Sequence, residues 1–260
     1  MNSELLVGVG VGPGDAELVT VKGVRTLREA DVVVVPAMEG TGRGRAEQTV
    51  LEYVPAERVR RLAFALNERK DNARREAAWD AAGAAVVDAF AEGARTVAFA
   101  TIGDPNFYST FTYLAHTVRA LRPGVQVATV PGITAMQDLA ARSGTVLCEG
   151  DESLVLLPLT GDVSSLRAAT EHFDNIVVYK SGPRLGSVLE LLRSSGRIDG
   201  AVYGAALGLP AQDIRPAASL DEGSAPYLAT ILVPAAKSGR GASLLRLATG
   251  TEPDRPATSE

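Results

Sequence analysis

Short unbroken apolar runs alternate along this chain with stretches whose apolar residues recur at helical spacing. Residues 5–10 are Val-rich and continuous, the pattern of a strand buried on both faces of a parallel sheet. Residues 20–30 read as a helix. Thr20 is its N-cap, and Val21, Val24 and Leu27 share one face. Residues 31–35 form a second strand, ended by Pro36, and residues 59–63 a third. The clearest helix spans 72–91, where Trp79, Val86, Val87 and Phe90 recur with alanines between them. Residues 95–101 make a strand that runs directly into Gly103-Asp104-Pro105. A helix over 110–121 and a strand over 126–130 follow.

After Pro131-Gly132 the pattern restarts. Helices are predicted at 133–142, 164–172 and 184–192, and strands at 154–157 and 176–180. Residues 201–206, 217–220 and 227–233 read as strands with no long helix between them. Such a run favours an antiparallel or mixed end to a second sheet. The fold class is therefore α/β in two lobes, 1–128 and 129–237. Residues 238–260 are polar and poor in large apolar groups, and a mobile tail is expected there.

Composition narrows the classes of function. Apolar residues are 46% of the 260, enough for a globular core, and the formal net charge is −5. That charge gives no general attraction to nucleic acid or anionic membrane. No apolar run approaches the roughly 20 residues needed to span a bilayer. One cysteine, Cys148, excludes a disulfide within the chain and fits a reducing compartment. The start, Met1-Asn2-Ser3-Glu4, lacks the basic region of a secretory signal. A soluble cytoplasmic protein is expected. His116, His172 and Cys148 have no metal-ligand spacing, so no metal is expected either.

Two loops carry candidate chemistry. Gly8-Val9-Gly10-Val11-Gly12-Pro13-Gly14-Asp15 joins a strand to a helix, the setting of a nucleotide-binding turn. The dinucleotide fingerprint fails in both registers, because Pro13 or Asp15 occupies the place of its third glycine. The loop is either a tight turn or a wall that lets backbone approach a ligand. Gly103-Asp104-Pro105 lies at the carboxyl end of a strand, where ligands sit in open α/β sheets. Pro105 keeps Asp104 out of the α region and stiffens the loop. Asp104 can then either act on a ligand or cap a turn.

These segments together resemble the tetrapyrrole methylases. The resemblance rests on Val9 to Asp15 followed by Leu18-Val19-Thr20-Val21-Lys22-Gly23, on Ala30-Asp31-Val32-Val33, on Gly103-Asp104-Pro105 with Tyr108, and on Val130-Pro131-Gly132-Ile133-Thr134-Ala135. Their order covers about the first 140 residues. The second lobe matches more loosely, through Ile176-Val177-Val178-Tyr179-Lys180 and Tyr227-Leu228-Ala229-Thr230-Ile231. Within the family, the run from Phe99 to Thr110 and the segment Arg74-Arg75-Glu76-Ala77-Ala78-Trp79 look most like the branch that methylates C20 of precorrin-2 or its cobalt-loaded form.

The resemblance implies two α/β lobes with the active site in a cleft between them, and S-adenosyl-L-methionine as methyl donor, leaving S-adenosyl-L-homocysteine. It places Pro13 on the adenosine side, Ile102, Gly103 and Asp104 at the methionine part, and Thr134 and Ala135 at the segment between lobes. From the second lobe it brings Lys180, Ala206, Leu207, Ala229 and Thr230. Many relatives have an apolar residue at Lys180; here the ammonium either meets a carboxylate or extends to solvent. Asp104 and Tyr108 are the candidates for polarising the substrate or accepting its proton. A homodimer is also implied.

A tetrapyrrole rich in carboxylates calls for guanidinium partners. Basic residues crowd 58–75, opposed only by Glu68 and Asp71, and Arg43 and Arg45 lie in a Gly-rich segment after Pro36. Arg43, Arg69 and Arg75 are the substrate candidates; a solvated charged face is the alternative. Three rivals stay open: methylation of uroporphyrinogen III or a later precorrin, methylation of a protein or ribosomal RNA, and a nucleotide-binding regulator without methyl transfer.

Overall fold

The structure is a computed structural model. It describes residues 4–38, 42–64, 72–221, 223, 225–226 and 228–236. The expected tail at 238–260 and the candidate Arg69 lie outside the described residues. Two compact units divide the chain. The first runs through Ala135 and takes in Leu207–Pro210; the second holds Met136–Ala206 and the chain from Ala211.

In the first unit β1 (Leu5–Gly10), β2 (Val32–Ala37), β3 (Val59–Ala63), β4 (Thr96–Thr101) and β5 (Gln126–Val130) form one sheet of order β3-β2-β4-β1-β5. Every pairing is parallel. All five carboxyl ends therefore lie along one edge. Alternation along the strands sends side chains to two separate cores. Leu6, Val32, Val34, Val97 and Phe99 pack against α3 (Asn72–Ala91) and α4 (Phe111–Leu121) through Val86, Phe90, Leu114 and Val118. Val7, Val9, Val33, Val35 and Ala98 pack on the other face against α1 (Val21–Glu29) and α2 (Arg45–Leu51) through Leu27, Ala46 and Val50. Burial on both faces is what the continuous apolar runs encode.

Local signals start and stop these elements. The Thr20 hydroxyl accepts the Gly23 amide at 3.0 Å, capping α1 as read. Asp31, just before β2, accepts the amides of Arg95 and Thr96 at 2.8 and 2.9 Å and so ties β2 to the start of β4. These bonds hold its carboxyl below the usual carboxylate range. Before β1, Glu4 receives the Arg122 guanidinium in a two-pronged pair, 2.6 Å on each prong.

The second unit opens on α5 (Ala135–Ser143), followed by β6 (Leu154–Pro158), α6 (Ser164–His172), β7 (Asn175–Tyr179), α7 (Leu185–Ser194), β8 (Val202–Ala205), β9 (Asp213–Pro216) and β10 (Thr230–Val233). Its sheet has the order β6-β7-β10-β8-β9. Only β6 and β7 are parallel; β10 runs antiparallel to both neighbours, and β9 to β8. Leu166, Leu189, Leu192, Ile176, Val178 and Ile231 form its core with α6 and α7.

Four elements differ from the sequence pattern. Strand β2 passes through Pro36 to Ala37, because β4 pairs with it only as far as Val34 and the missing amide falls where one neighbour remains. Helix α2 was not anticipated; seven residues behind a Gly-rich lead give too short a periodicity to see. Residues 217–219 form a 3-10 turn, not a strand. The strand is the preceding Asp213–Pro216, an edge whose alternate residues Asp213 and Arg215 pair at 3.1 Å and mask the pattern. Strand β10 begins only at Thr230, after a turn in which the Ala229 amide bonds the Pro226 carbonyl.

Candidate functional site

The loops after β1, β4 and β5 meet backbone to backbone. The Val11 amide donates to Thr101 at 2.9 Å, and the Gly103 amide donates to Gly12 at 2.8 Å. A methyl group on Gly10 would come within 2.5 Å of the Gly103 carbonyl oxygen and 2.6 Å of the Gly132 Cα. One on Gly132 would overlap the same carbonyl. Three chains can approach this closely only because neither position carries a side chain.

Asp104 closes the junction. One carboxylate oxygen accepts the Asn106 amide at 2.8 Å, and the other accepts the Gly132 amide at 3.0 Å. The side chain thus bonds its own loop and the loop after β5 at once. Two further bonds stiffen the segment: Asn106 Nδ2 donates to Thr129 Oγ1 at 3.1 Å, and Ser109 Oγ to Thr101 Oγ1 at 3.0 Å. Sequence reasoning missed Ser109, Thr129 and Asn106 as supports, since no motif flags a hydroxyl that acts across strands.

Gly103 adopts φ +70°, and a methyl there would meet only the Thr134 Cα at 3.9 Å. The space beside this glycine is open. Pro13 is buried, Ile102 is half-buried and Thr134 is buried. The first glycine loop also lies against the returning segment, with Gly14 packed on the Leu207 carbonyl. Pro13, Ile102, Gly103, Asp104, Thr134, Ala135 and Leu207 thus all belong to the first unit, and most border one loop junction. The open side of Gly103 is thus bordered largely by main-chain groups.

Among the described residues, the non-glycine positions with positive φ are Tyr108, Lys180 and Ala206, at 50°, 61° and 49°. All three had been singled out from the sequence. Such angles cost about 1 kcal/mol or more and gather at functional sites. Tyr108 is half exposed, and its ring lies 4.5 Å from that of Phe107. Partial burial pushes its phenol above the usual range, so the hydroxyl is protonated near neutral pH.

Within the second unit, Lys180 directly follows β7. The next residue, Ser181, is fully buried, and both its amide and its hydroxyl donate to the Ala229 carbonyl, at 3.4 and 3.3 Å. Thr230 is buried between Tyr179 and Gly204. The Tyr179 hydroxyl accepts the Met136 amide at 3.2 Å. Lys180, Ala206, Ala229 and Thr230 therefore fall at the ends of β7, β8 and β10. Ser181 and Tyr179 were not anticipated; their roles depend on pairing across the sheet.

The basic candidates separate. Arg43 is mostly exposed and stands 4.0 Å from Glu47. Arg75, on α3, donates to Asn72 at 2.7 Å and lies over the Trp79 ring, which stacks flat on Tyr113 at 4.1 Å. Among the described residues no group of three or more His, Cys, Asp or Glu side chains could hold a metal. No described helix is long and apolar enough to cross a membrane.

Fold and loops together define a two-sheet α/β protein whose loops after β1, β4 and β5 meet at the carboxyl ends of parallel strands. The family of tetrapyrrole (corrin/porphyrin) methylases matches residues 5–222, and the chain belongs to that family. A precorrin-2 C(20)-methyltransferase of Sinorhizobium sp is 35% identical over 237 residues, 88% of this chain and 94% of that protein. The cobalamin biosynthesis protein CobIJ of Mycobacterium tuberculosis is 34% identical over 259 residues, 95% of this chain but 48% of that protein. The chain thus spans about half the length of the CobIJ relatives it matches. The cobalt precorrin-4 methyltransferase CbiF shares the fold with a TM-score of 0.66 at 22% identity, over 88% of this chain and 94% of that one.

Proposed function

We propose that the chain transfers the methyl group of S-adenosylmethionine to C20 of precorrin-2, or of its cobalt-loaded form. One observation carries the methyl-transfer reading: the open side of Gly103, held by Asp104 at the junction of the three loops. The substrate reading is supported by the Sinorhizobium relative, matched over nearly its whole length.

The bound cofactor supplies an activated methyl with its leaving group attached. The protein's share is to orient the reactants and exclude water, worth up to about 7–11 kcal/mol in well-aligned systems. The proposed cofactor contacts are Pro13, Ile102, Gly103, Asp104, Thr134, Ala135, Leu207, Lys180, Ala206, Ala229 and Thr230. Asp104 holds the loop through Asn106 and Gly132. Tyr108, a protonated phenol, donates a hydrogen bond to the substrate. Arg43, Arg69 and Arg75 remain the proposed carboxylate contacts, and a cytoplasmic homodimer the proposed assembly.

The test is methyl transfer from labelled S-adenosylmethionine to precorrin-2, cobalt-precorrin-2, uroporphyrinogen III and a later precorrin in parallel. Product methylated at C20 is expected from one of the first two. Turnover restricted to either other tetrapyrrole would reject the substrate reading.

A further inference from the structure

We infer that Arg45 forms an anion subsite that takes a side-chain carboxylate of the substrate. This rests on the reading of the substrate as a tetrapyrrole polycarboxylate.

The position comes first. Strand β2 ends at Ala37 on the same edge of the parallel sheet as the Gly103 loop. Gly44 lies against the Pro36 carbonyl, 3.4 Å from where a methyl would stand, and α2 starts at the next residue. Ala46 and Val50 anchor α2 in the core shared with β2 and β4. Arg45 is therefore held at the ligand edge by a packed helix, and its place does not depend on a loose loop.

The charges come second. Five described arginines are partly buried: Arg45, Arg58, Arg75, Arg122 and Arg197. Four are matched. Arg58 and Arg197 donate to backbone carbonyls, Arg75 to Asn72 and Arg122 to Glu4. Among the described residues Arg45 has no side-chain partner. The nearby carboxylate is already engaged: Glu47 is buried, with Arg61 Nε at 3.2 Å and Arg43 Nε at 4.0 Å. Desolvation lowers the Arg45 pKa, yet a guanidinium stays charged at any physiological pH. A partly buried cation without a partner is unfavourable, and a carboxylate meeting its planar fork removes that cost.

Kinetics of the full chain on the tetrapyrrole it methylates test this, with Arg45→Ala, Arg45→Gln and Arg45→Lys beside Arg119→Ala, an exposed arginine in the last turn of α4. Both neutral variants are expected to raise KM about tenfold or more, with kcat within about twofold and S-adenosylhomocysteine affinity unchanged. Arg45→Lys should fall between, keeping charge but losing the fork. Raising salt should increase the wild-type KM more steeply than that of Arg45→Ala. A KM within about twofold of wild type in both neutral variants, with normal cofactor binding, overturns the subsite and leaves the methylase reading standing. If wild type methylates no tetrapyrrole, that reading fails instead. The subsite is then read from quenching of the single tryptophan, Trp79, by uroporphyrin III. A Kd about tenfold weaker in Arg45→Gln supports it, and equal Kd values or no wild-type binding reject it.

Discussion

At the scale of residues, Asp104 has both oxygens occupied by backbone amides. Asparagine can accept only one of them, and the lost bond to a charged group is worth about 1–3 kcal/mol. Asp104→Asn should therefore weaken S-adenosylhomocysteine binding about tenfold or more, read by calorimetry, with a smaller loss of kcat at saturation. Lost turnover with unchanged affinity would instead assign Asp104 to the chemistry. Tyr108 holds a positive φ and a phenol pushed above its usual range. Tyr108→Phe keeps the ring and removes the donor. Its expected signature is about a tenfold drop in kcat with cofactor affinity intact, about 1.4 kcal/mol of transition-state stabilisation. An unchanged kcat would remove the hydroxyl from the mechanism.

Elements are joined by contacts that a single methyl or proton can break. Gly132→Ala would drive a methyl into the Gly103 carbonyl, and backbone at both positions leaves nowhere to move. Loss of cofactor binding is expected, at a stability cost of about 1–3 kcal/mol, seen as a lowered denaturation midpoint. Normal binding in that variant would mean the loops can separate. The Asp31 tie between β2 and β4 is pH-sensitive in a determined direction. Its folded pKa lies below the unfolded value, so its stabilisation is present above about pH 3.9 and fades as pH falls through the lower folded value. Asp31→Asn should cost about 1 kcal/mol at neutral pH, discounted for exposure, and flatten the acid limb of the stability profile. An acid limb identical to that of wild type would show that other carboxylates dominate it.

For the whole molecule, linkage gives a test that needs no substrate. A ligand held only by the folded state, at a hundredfold its Kd, stabilises by about 2.7 kcal/mol. S-adenosylhomocysteine should raise the unfolding temperature accordingly, and no shift at millimolar ligand would reject the proposed cofactor. Light scattering at twice the chain mass would support the homodimer, and a single chain mass would exclude it.

The sequence by itself determined the alternation of strands and helices, the burial of the first sheet on both faces and the family. Those features are carried by local periodicity and contiguous motifs, which need no knowledge of what lies across space. The three described non-glycine positions with positive φ, Tyr108, Lys180 and Ala206, are named through the family resemblance, which does not show their backbone angles. Tertiary structure alone decided which groups those motifs bond. That Asp104 bridges to Gly132, that Ser181 anchors to Ala229 and that Leu207 returns to the first glycine loop depend on residues far apart in the chain. It also decided which arginine is left unmatched. Charge can be counted along a sequence, but only packing determines which carboxylate each cation reaches, and Glu47 is taken by Arg61 and Arg43 while Arg45, two residues away, has no partner among the described residues.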